Sequence, residues 1–398
     1  MKNSFRDYFI RKNKELHELN CFLGNKTKLE KYYDIYDIFK KKEEIICNLR
    51  NKSREKYYHH LTNNNQIGFK NKYFTYQYTY ERFNGFIDIK KFANKFYGVT
   101  DEYISQTYFT NCGMTSVISL ISSLCLSNNV QIDLLYEETY FETIKYLYIV
   151  NKKSNIKALY IDTIASDFSF DLHEVNLKEY DFVVIDTTCF WGKNFSEMIN
   201  NIINHNIPCI LVRSVTKLDM MATEYSHMGF ISFIYNNNME SETFLNVINS
   251  CKHLIGVFGS CLIPENFPEF IMNNKINELN KQRLSAVNYN NTYFCELAKS
   301  KQLNVILPNH HQFCLIQLGK IQYSLDKLKS KIKNFCKKHR NLYSCHSVSF
   351  GFDYIAIDCY QNFLDGTMKI RICLSDIPKE LVEIFFDKFY KFLIKNNL

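Results

Sequence analysis

The stretch Pro208-Cys-Ile-Leu-Val-Arg-Ser-Val-Thr-Lys217 decides how this chain is read. Its first half is a short apolar run of the kind that forms a strand buried on both faces. It ends in two hydroxyls and an amine: Ser214, Thr216 and Lys217. Hydroxyls hold a phosphate, and a desolvated amine captures an aldehyde as a Schiff base. A lysine after a strand is, taken singly, more often a solvated loop residue. The stretch gains meaning only if the rest of the chain supplies the other parts of such a site.

The same kind of strand recurs on either side. Apolar runs at 130–135, 158–161, 182–185 and 230–235 join 209–212, and helical spacing marks 114–124, 140–150 and 195–205. Short apolar strands alternating with helices predict a mostly parallel sheet sandwiched by helices. Ligands of such sheets bind at the carboxyl ends of the strands, where Asp186 and Lys217 both fall. A long helix over 276–300 leads to a second region, with strands at 304–307, 313–318, 354–357 and 368–373 and helices at 324–339 and 379–395. The fold class expected is therefore α/β with a smaller C-terminal α+β domain. The expected boundaries are 1–85 for an N-terminal helical extension, 86–275 for the large domain and 276–398 for the small one. Residues 1–70 are polar and helix-forming, and read as surface helices or an arm with no core of its own.

Composition narrows the function classes. The chain has 398 residues, 46% hydrophobic and 23% charged, which suffices for a sizeable core. The net charge of +8 is scattered. Lys40-Lys-Lys42 and Lys329-Ser-Lys-Ile-Lys333 read as solvated helix faces, and no aromatic platform beside them suggests a nucleic acid. The 14 cysteines form no Cys-x-x-Cys pair and sit partly in apolar runs, as in a reduced cytoplasmic protein. Cys336-Lys-Lys-His339 has ligand-like spacing but no second pair, so no metal is expected. The N-terminus lacks the apolar region of a signal peptide, and no apolar run is long enough to span a bilayer. No Gly-x-Gly-x-x-Gly follows a strand, which argues against a nicotinamide dehydrogenase.

Three further segments carry candidate chemistry. Asp186 ends Phe182-Val-Val-Ile-Asp186-Thr-Thr188, where a carboxylate can accept a proton from a pyridinium nitrogen or, alternatively, cap the next helix. Thr110-Asn-Cys-Gly113-Met114-Thr-Ser116 opens an amphipathic helix, and backbone N–H groups at a helix start bind phosphate with Gly allowing close approach. Tyr140, in Tyr136-Glu-Glu-Thr-Tyr140-Phe-Glu-Thr143, follows a strand and can stack on an aromatic ring.

In this order the segments resemble the Cys/Met-metabolism family of pyridoxal-phosphate enzymes, which includes cystathionine synthases and lyases and methionine γ-lyase. The resemblance covers about residue 78 to the end. The family's phosphate loop Ser-Gly-Met-Ala is matched by Cys112-Gly113-Met114-Thr115, and its Tyr-Gly-Gly-Thr by Tyr140-Phe-Glu-Thr143. Its Asp-Asn-Thr is matched by Asp186-Thr-Thr188, and its Ser-x-Thr-Lys is intact as Ser214-Val-Thr-Lys217. Tyr80-Glu-Arg82-Phe-Asn84 echoes a segment that reaches the neighbouring subunit's phosphate. Met368-Lys-Ile-Arg371-Ile372 matches the strand that carries the substrate-binding Arg, and Ser349-Phe-Gly351 a Ser-Leu-Gly before it.

The resemblance implies a fold-type-I, aspartate-aminotransferase-like architecture and pyridoxal 5'-phosphate as cofactor. Lys217 would hold the cofactor and then serve as base, with Tyr140 stacking on the ring and shuttling a proton. Tyr80, Arg82, Cys112, Gly113, Met114, Asp186, Thr188, Ser214 and Thr216 would bind the cofactor. Arg371 and Ser349 would bind an amino-acid substrate. A homodimer or homotetramer with shared active sites is implied, with no nucleic-acid or membrane partner.

The chain also departs from the pattern: Asp-Asn-Thr has lost its Asn, the Asn-Pro turn after Arg82 is changed, and two further changes would reshape the substrate pocket. The Gly-His that follows the family's Lys is replaced by the run at 218–229, and both Gly of Tyr-Gly-Gly-Thr have become Phe141 and Glu142. These changes point to a divergent member with a non-standard substrate. The leading expectation is a lyase or synthase that eliminates or replaces a β- or γ-substituent of an L-amino acid. An aminotransferase on the same fold, and a non-catalytic protein that kept the fold, remain alternatives. Glu142 and His227 are possible pocket residues, more simply read as structural or exposed.

Overall fold

Buried β-branched and aromatic residues build the main sheet of this computed structural model. The described residues are 3–25, 29–61, 69–70, 75–76, 92–191, 195–239, 241–263, 266–319, 324–362 and 366–398. Tyr80 and Arg82 lie outside them. The chain folds into two compact units. One comprises Met1–Asn48, Lys217–Thr223 and Glu269–Leu398; the other comprises Leu49–Thr216 and Glu224–Pro268. Two short strands, β1 (Phe69–Lys70) and β2 (Thr75–Tyr76), pair antiparallel in the second unit.

The second unit is organised by a six-stranded sheet. Its strands are β3 (Ile104–Thr110), β4 (Gln131–Leu134), β5 (Lys157–Asp162), β6 (Phe182–Asp186), β7 (Cys209–Ser214) and β8 (Gly229–Tyr235), in the order β3-β8-β7-β6-β5-β4. The four strands from β4 to β7 run parallel. Strand β8 is antiparallel to both β7 and β3. Every residue of β6 and β8 is buried, as expected for strands covered on both faces. On β8, Phe230 meets Phe92 of helix α3 (Phe92–Tyr97), with ring centroids 5.2 Å apart. Its neighbours on the opposite face, Phe233 and Tyr235, meet Phe244 of a later helix at 6.1 and 5.0 Å. The period-2 alternation of the strand thus supplies both layers.

Helices α4 (Gly113–Ser122), α5 (Phe141–Val150) and α6 (Phe195–Asn204) connect successive strands, and α8 (Glu242–Val257) follows β8. A four-residue helix, α7 (Val215–Leu218), follows β7 directly. The reversal of β8 was not legible from periodicity, because apolar runs carry no direction, and β3 left no apolar run because Ser105, Gln106 and Thr107 interrupt it.

The first unit contains a five-stranded sheet in the order β11-β12-β13-β10-β9. Its strands are β9 (Val305–Ile306), β10 (Cys314–Gly319), β11 (Ser344–His346), β12 (Ile355–Gln361) and β13 (Met368–Cys373). Helices α9 (Asn274–Ser300), α10 (Leu325–Lys338) and α11 (Lys379–Lys395) pack with it, burying Phe294, Ile332, Phe385, Phe386 and Phe389 in one core.

The N-terminal helices depart from the expectation of a surface arm. Helix α1 (Phe5–Phe22) buries Tyr8, Leu16 and Leu19, and α2 (Ile35–Leu61) buries Ile35, Ile38, Ile45 and Leu49. Residues 1–48 cluster with the C-terminal 130 residues rather than standing apart as a segment 1–85. Lys42 is also not on a solvated face: it is 3% exposed. No helix among the described residues is long and apolar enough to cross a membrane. All fourteen cysteines are free thiols.

Candidate active site

In the sheet-bearing second unit, the groups with phosphate- and ring-binding chemistry gather at the carboxyl ends of the strands. Helix α4 starts at Gly113 with a capping box: the Thr115 amide donates to Cys112 Sγ at 3.4 Å, and the Cys112 amide donates to Thr115 Oγ1 at 3.3 Å. The first-turn amides of a helix have no acceptor within it and carry its positive dipole end. Gly113 lies against the end of β7. A Cβ there would sit 2.4 Å from Ser214 Cβ and 2.8 Å from Ser214 Oγ. Gly229 allows the same closeness from the next strand, since its Cβ would lie 2.5 Å from the Cys112 carbonyl oxygen. Cys112, Gly113, Met114 and Ser214 are all half-buried rather than sealed.

Thr188 links two of the predicted residues. Its amide donates to Asp186 Oδ1 at 2.9 Å, and its Oγ1 accepts from the Ser214 amide at 3.0 Å. Thr187 turns inward to the Tyr97 hydroxyl at 2.6 Å. Arg213 is fully buried and donates to the Phe190 carbonyl at 2.7 Å and to the Thr187 carbonyl, so it braces the loop after Asp186. Thr216 Oγ1 accepts from the Met228 amide at 3.4 Å and lies 3.5 Å from the Ser226 carbonyl, so its hydroxyl is directed to the 226–228 segment.

Asp186 is paired with a second carboxylate that sequence reasoning missed. Asp162 occupies the register position opposite it on β5. Burial, and then the charge of Asp186, push the Asp162 pKa well above the usual carboxylate range. Asp162 accepts from the Tyr140 amide and from the Ile164 amide, each at 2.9 Å. It therefore fixes the backbone of Tyr140, which is half-buried at the start of α5. A signal for Asp162 was present, since Leu159-Tyr-Ile-Asp162 ends a strand in the same way as Val183-Val-Ile-Asp186. Phe141, Glu142 and His227 are exposed.

The first unit gathers the remaining predicted residues. The Lys217 amine donates to Ser349 Oγ and lies 5.5 Å from the centre of the Phe350 ring. Arg371, 8% exposed, lies 5.7 Å from the same ring and equally far from Phe313. Its Nη2 donates to the Val348 carbonyl at 2.6 Å and sits 3.4 Å from Asp358, which faces it across the β12–β13 ladder. A guanidinium has five donors, so these contacts orient it without using all of them. His346 lies 3.7 Å from Asp358, and burial holds its pKa below the usual imidazole value despite that carboxylate. Phe350 was missed because an aromatic in a loop has no periodic signature. Among the described residues, no group of three or more His, Cys, Asp and Glu is placed to hold a metal ion.

No family model and no curated protein matches this chain. Solved structures do. One titled as a high-resolution structure of SPT with PLP internal aldimine is 11% identical, with a TM-score of 0.54 over 88% of this chain and 83% of that chain. An aminotransferase from Staphylococcus aureus is 10% identical, with a TM-score of 0.51 over 87% of this chain and 89% of that one. The fold is thus the fold-type-I architecture expected from the sequence, an α/β unit with a mostly parallel sheet plus a smaller unit. These neighbours share the fold, and they do not single out the Cys/Met family.

Proposed function

We propose that this chain is a pyridoxal-phosphate-dependent enzyme that eliminates or replaces a β- or γ-substituent of an L-amino acid, with Lys217 as the cofactor-carrying amine. The observation that carries the reading is the gathering of Lys217, Ser349 and Arg371. These residues were singled out separately in sequence, and they meet around the Phe350 ring. The residues present suit the cofactor's phosphate: a glycine at a helix start abuts a strand-end serine so closely that any side chain would fill the gap.

When bound, the cofactor would supply an aldehyde that captures amines and an electron-poor ring that accepts the pair released at Cα. Gly113, Met114 and Ser214 would bind the phosphate, with Cys112 fixing the helix start. Thr216 would contribute only after its hydroxyl turns from the 226–228 segment. Asp186 would hold the proton on the ring nitrogen, and the neutral tendency of Asp162 leaves that carboxylate less opposed by like charge. Tyr140 would lie against the ring, its backbone pinned by Asp162. The Lys217 amine, once displaced by substrate, would take the α-proton, with Ser349 Oγ orienting it. Arg371 would bind the substrate carboxylate through its remaining donors, oriented by Val348 and Asp358. Tyr80 and Arg82 are proposed to complete the phosphate site from a neighbouring copy in a homo-oligomer.

The test is an absorbance spectrum of the purified chain with pyridoxal phosphate, for the native sequence and Lys217→Ala, titrated with a panel of amino acids. The expected result is a visible band that depends on Lys217, with release of a keto acid and the leaving group. A band unchanged by the substitution would refute the role of Lys217. Conversion to pyridoxamine phosphate without a leaving group would assign the chain to the aminotransferases instead.

A further inference from the structure

A buried ionic cluster lies in the first unit, outside the residues that the proposed chemistry uses. Lys12 contacts Asp353 at 2.6 Å, Asp376 at 3.1 Å and Glu15 at 3.3 Å. Lys42 contacts Asp353 at 2.6 Å and also Glu15. Arg11 contacts Asp376 at 3.0 Å. Arg283 is fully buried nearby, donating to Asn280 at 3.1 Å and approaching the Gly351 carbonyl at 3.5 Å.

The cluster is tied to the segment that carries Lys217 at several points. The Lys42 ammonium donates to the Met221 carbonyl. Met221 and Ala222 have φ of +55° and +60°, a left-handed pair that non-glycine residues adopt only when neighbours hold them there. Asn280 donates to the Leu218 carbonyl at 2.7 Å. Asp353, which holds Lys42, lies at the end of the turn 349–353. That turn also provides Ser349 to the Lys217 amine and brings Gly351 against the Lys217 carbonyl oxygen. Lys42 and Asp353 thus connect both ends of the arrangement around Lys217: the segment that follows the lysine and the turn on which its amine rests.

We propose that Lys42, acting through the Met221 carbonyl and Asp353, is a positioning residue that sets the reactive geometry of the Lys217 amine. This rests on the proposed role of Lys217 as the reactive amine. It gives the N-terminal helices a task in the chemistry, and it gives the divergent run 218–229 a physical reason: its early part is shaped to meet a lysine from α2. Removing the Lys42 ammonium frees the Met221 carbonyl and leaves Asp353 with a weaker hold. The turn 349–353 then shifts, and the Lys217 amine loses its fixed hydrogen bond to Ser349.

The test is acetic anhydride labelling of every lysine in the full-length chain without cofactor, quantified by mass spectrometry across pH. In Lys42→Met, Lys217 should label faster by about threefold or more, with its labelling midpoint displaced along the pH axis, while exposed Lys388 is unchanged. Lys42→Arg should restore the native rate at Lys217. Asp353→Asn, which keeps the side-chain shape, should move Lys217 in the same direction and serves as the test if Lys42→Met loses its cooperative thermal transition. An unchanged Lys217 rate in a folded variant overturns the proposal. Loss of the folded state in both variants overturns it as well, because the pair then holds the unit rather than the amine. Since the labelling uses no cofactor, failure of the absorbance test above would sink the cofactor reading and leave this result standing.

Discussion

The two units bury acidic side chains in opposite ways. In the first, Glu15, Asp353 and Asp376 are met by Arg11, Lys12 and Lys42 at salt-bridge distance. In the second, Asp162 and Asp186 face each other in register across two parallel strands. Burial opposes ionisation in both places. In the first unit the neighbouring cations win, and Asp353 and Asp376 fall below the usual carboxylate range. In the second, Asp186 adds to burial, and Asp162 rises. The difference separates a cluster neutralised from within from one that an added cation would relieve. The protonated ring nitrogen of the proposed cofactor would be such a cation.

The largest effect should come from breaking the first cluster. Lys12→Met would leave three buried carboxylates short of their shared cation and should cost about 3–5 kcal/mol, read by urea denaturation. The pH dependence of the native chain should carry the same signature. Asp353 and Asp376 are depressed, so their contribution is full above the ordinary value of 3.8 and is lost as pH falls through their folded values. Burial lowers Lys12 but its three carboxylates more than reverse this, so its contribution is full below the ordinary 10.5 and is lost as pH rises past its folded value. The cluster should therefore be strongest between those limits.

Next in size is Gly113→Ala. Its Cβ would overlap Ser214, and the overpacking should cost about 1–3 kcal/mol while weakening pyridoxal phosphate binding about tenfold or more. Equilibrium dialysis checks the binding, and a melting curve the stability. Asp162→Asn sharpens the comparison itself. Because the folded Asp162 is raised, the native chain binds more protons than its unfolded form above 3.8, and stability falls as pH rises from there to the folded value. The substitution should flatten that slope and change stability at neutral pH by only about 1 kcal/mol. An unchanged slope would mean that Asp162 is not raised in the folded chain. The smallest effect is expected one residue from Lys42. The Lys41–Glu44 pair is at the surface, and Lys41→Met should shift stability by less than about 0.5 kcal/mol.

Much of this was legible in the chain, and the exceptions have physical causes. The alternation of apolar runs and helical spacing foretold β4 to β7 and their connecting helices, because both layers of a doubly covered sheet leave a strong pattern. Direction did not leave one, so β8 was not seen to reverse. Ser349 and Arg371 were found by their place in a motif, not by any property of their own. Lys42 was misread as a surface charge because it sits in a run of three lysines. Yet Ile35, Ile38, Lys42, Ile45 and Leu49 repeat at helical spacing, and a lysine on that line is a core position in disguise. The same holds for Lys12 and Glu15, between Tyr8 and Leu19 on α1. Asp162 escaped notice because a strand-end carboxylate acquires meaning only when its neighbour across the sheet is known.

Gly351 has a consequence for anyone mapping this chain by exhaustive substitution. Its φ is +91°, and a Cβ there would lie 1.7 Å from the Lys217 carbonyl oxygen. Even alanine is excluded twice, by backbone conformation and by collision. A deep mutational scan should therefore show position 351 as intolerant as Lys217 itself, although a glycine has no group to offer a reactant. Read without the structure, that column of inactive variants would be mistaken for chemistry, when it records the clearance that the lysine's own backbone requires.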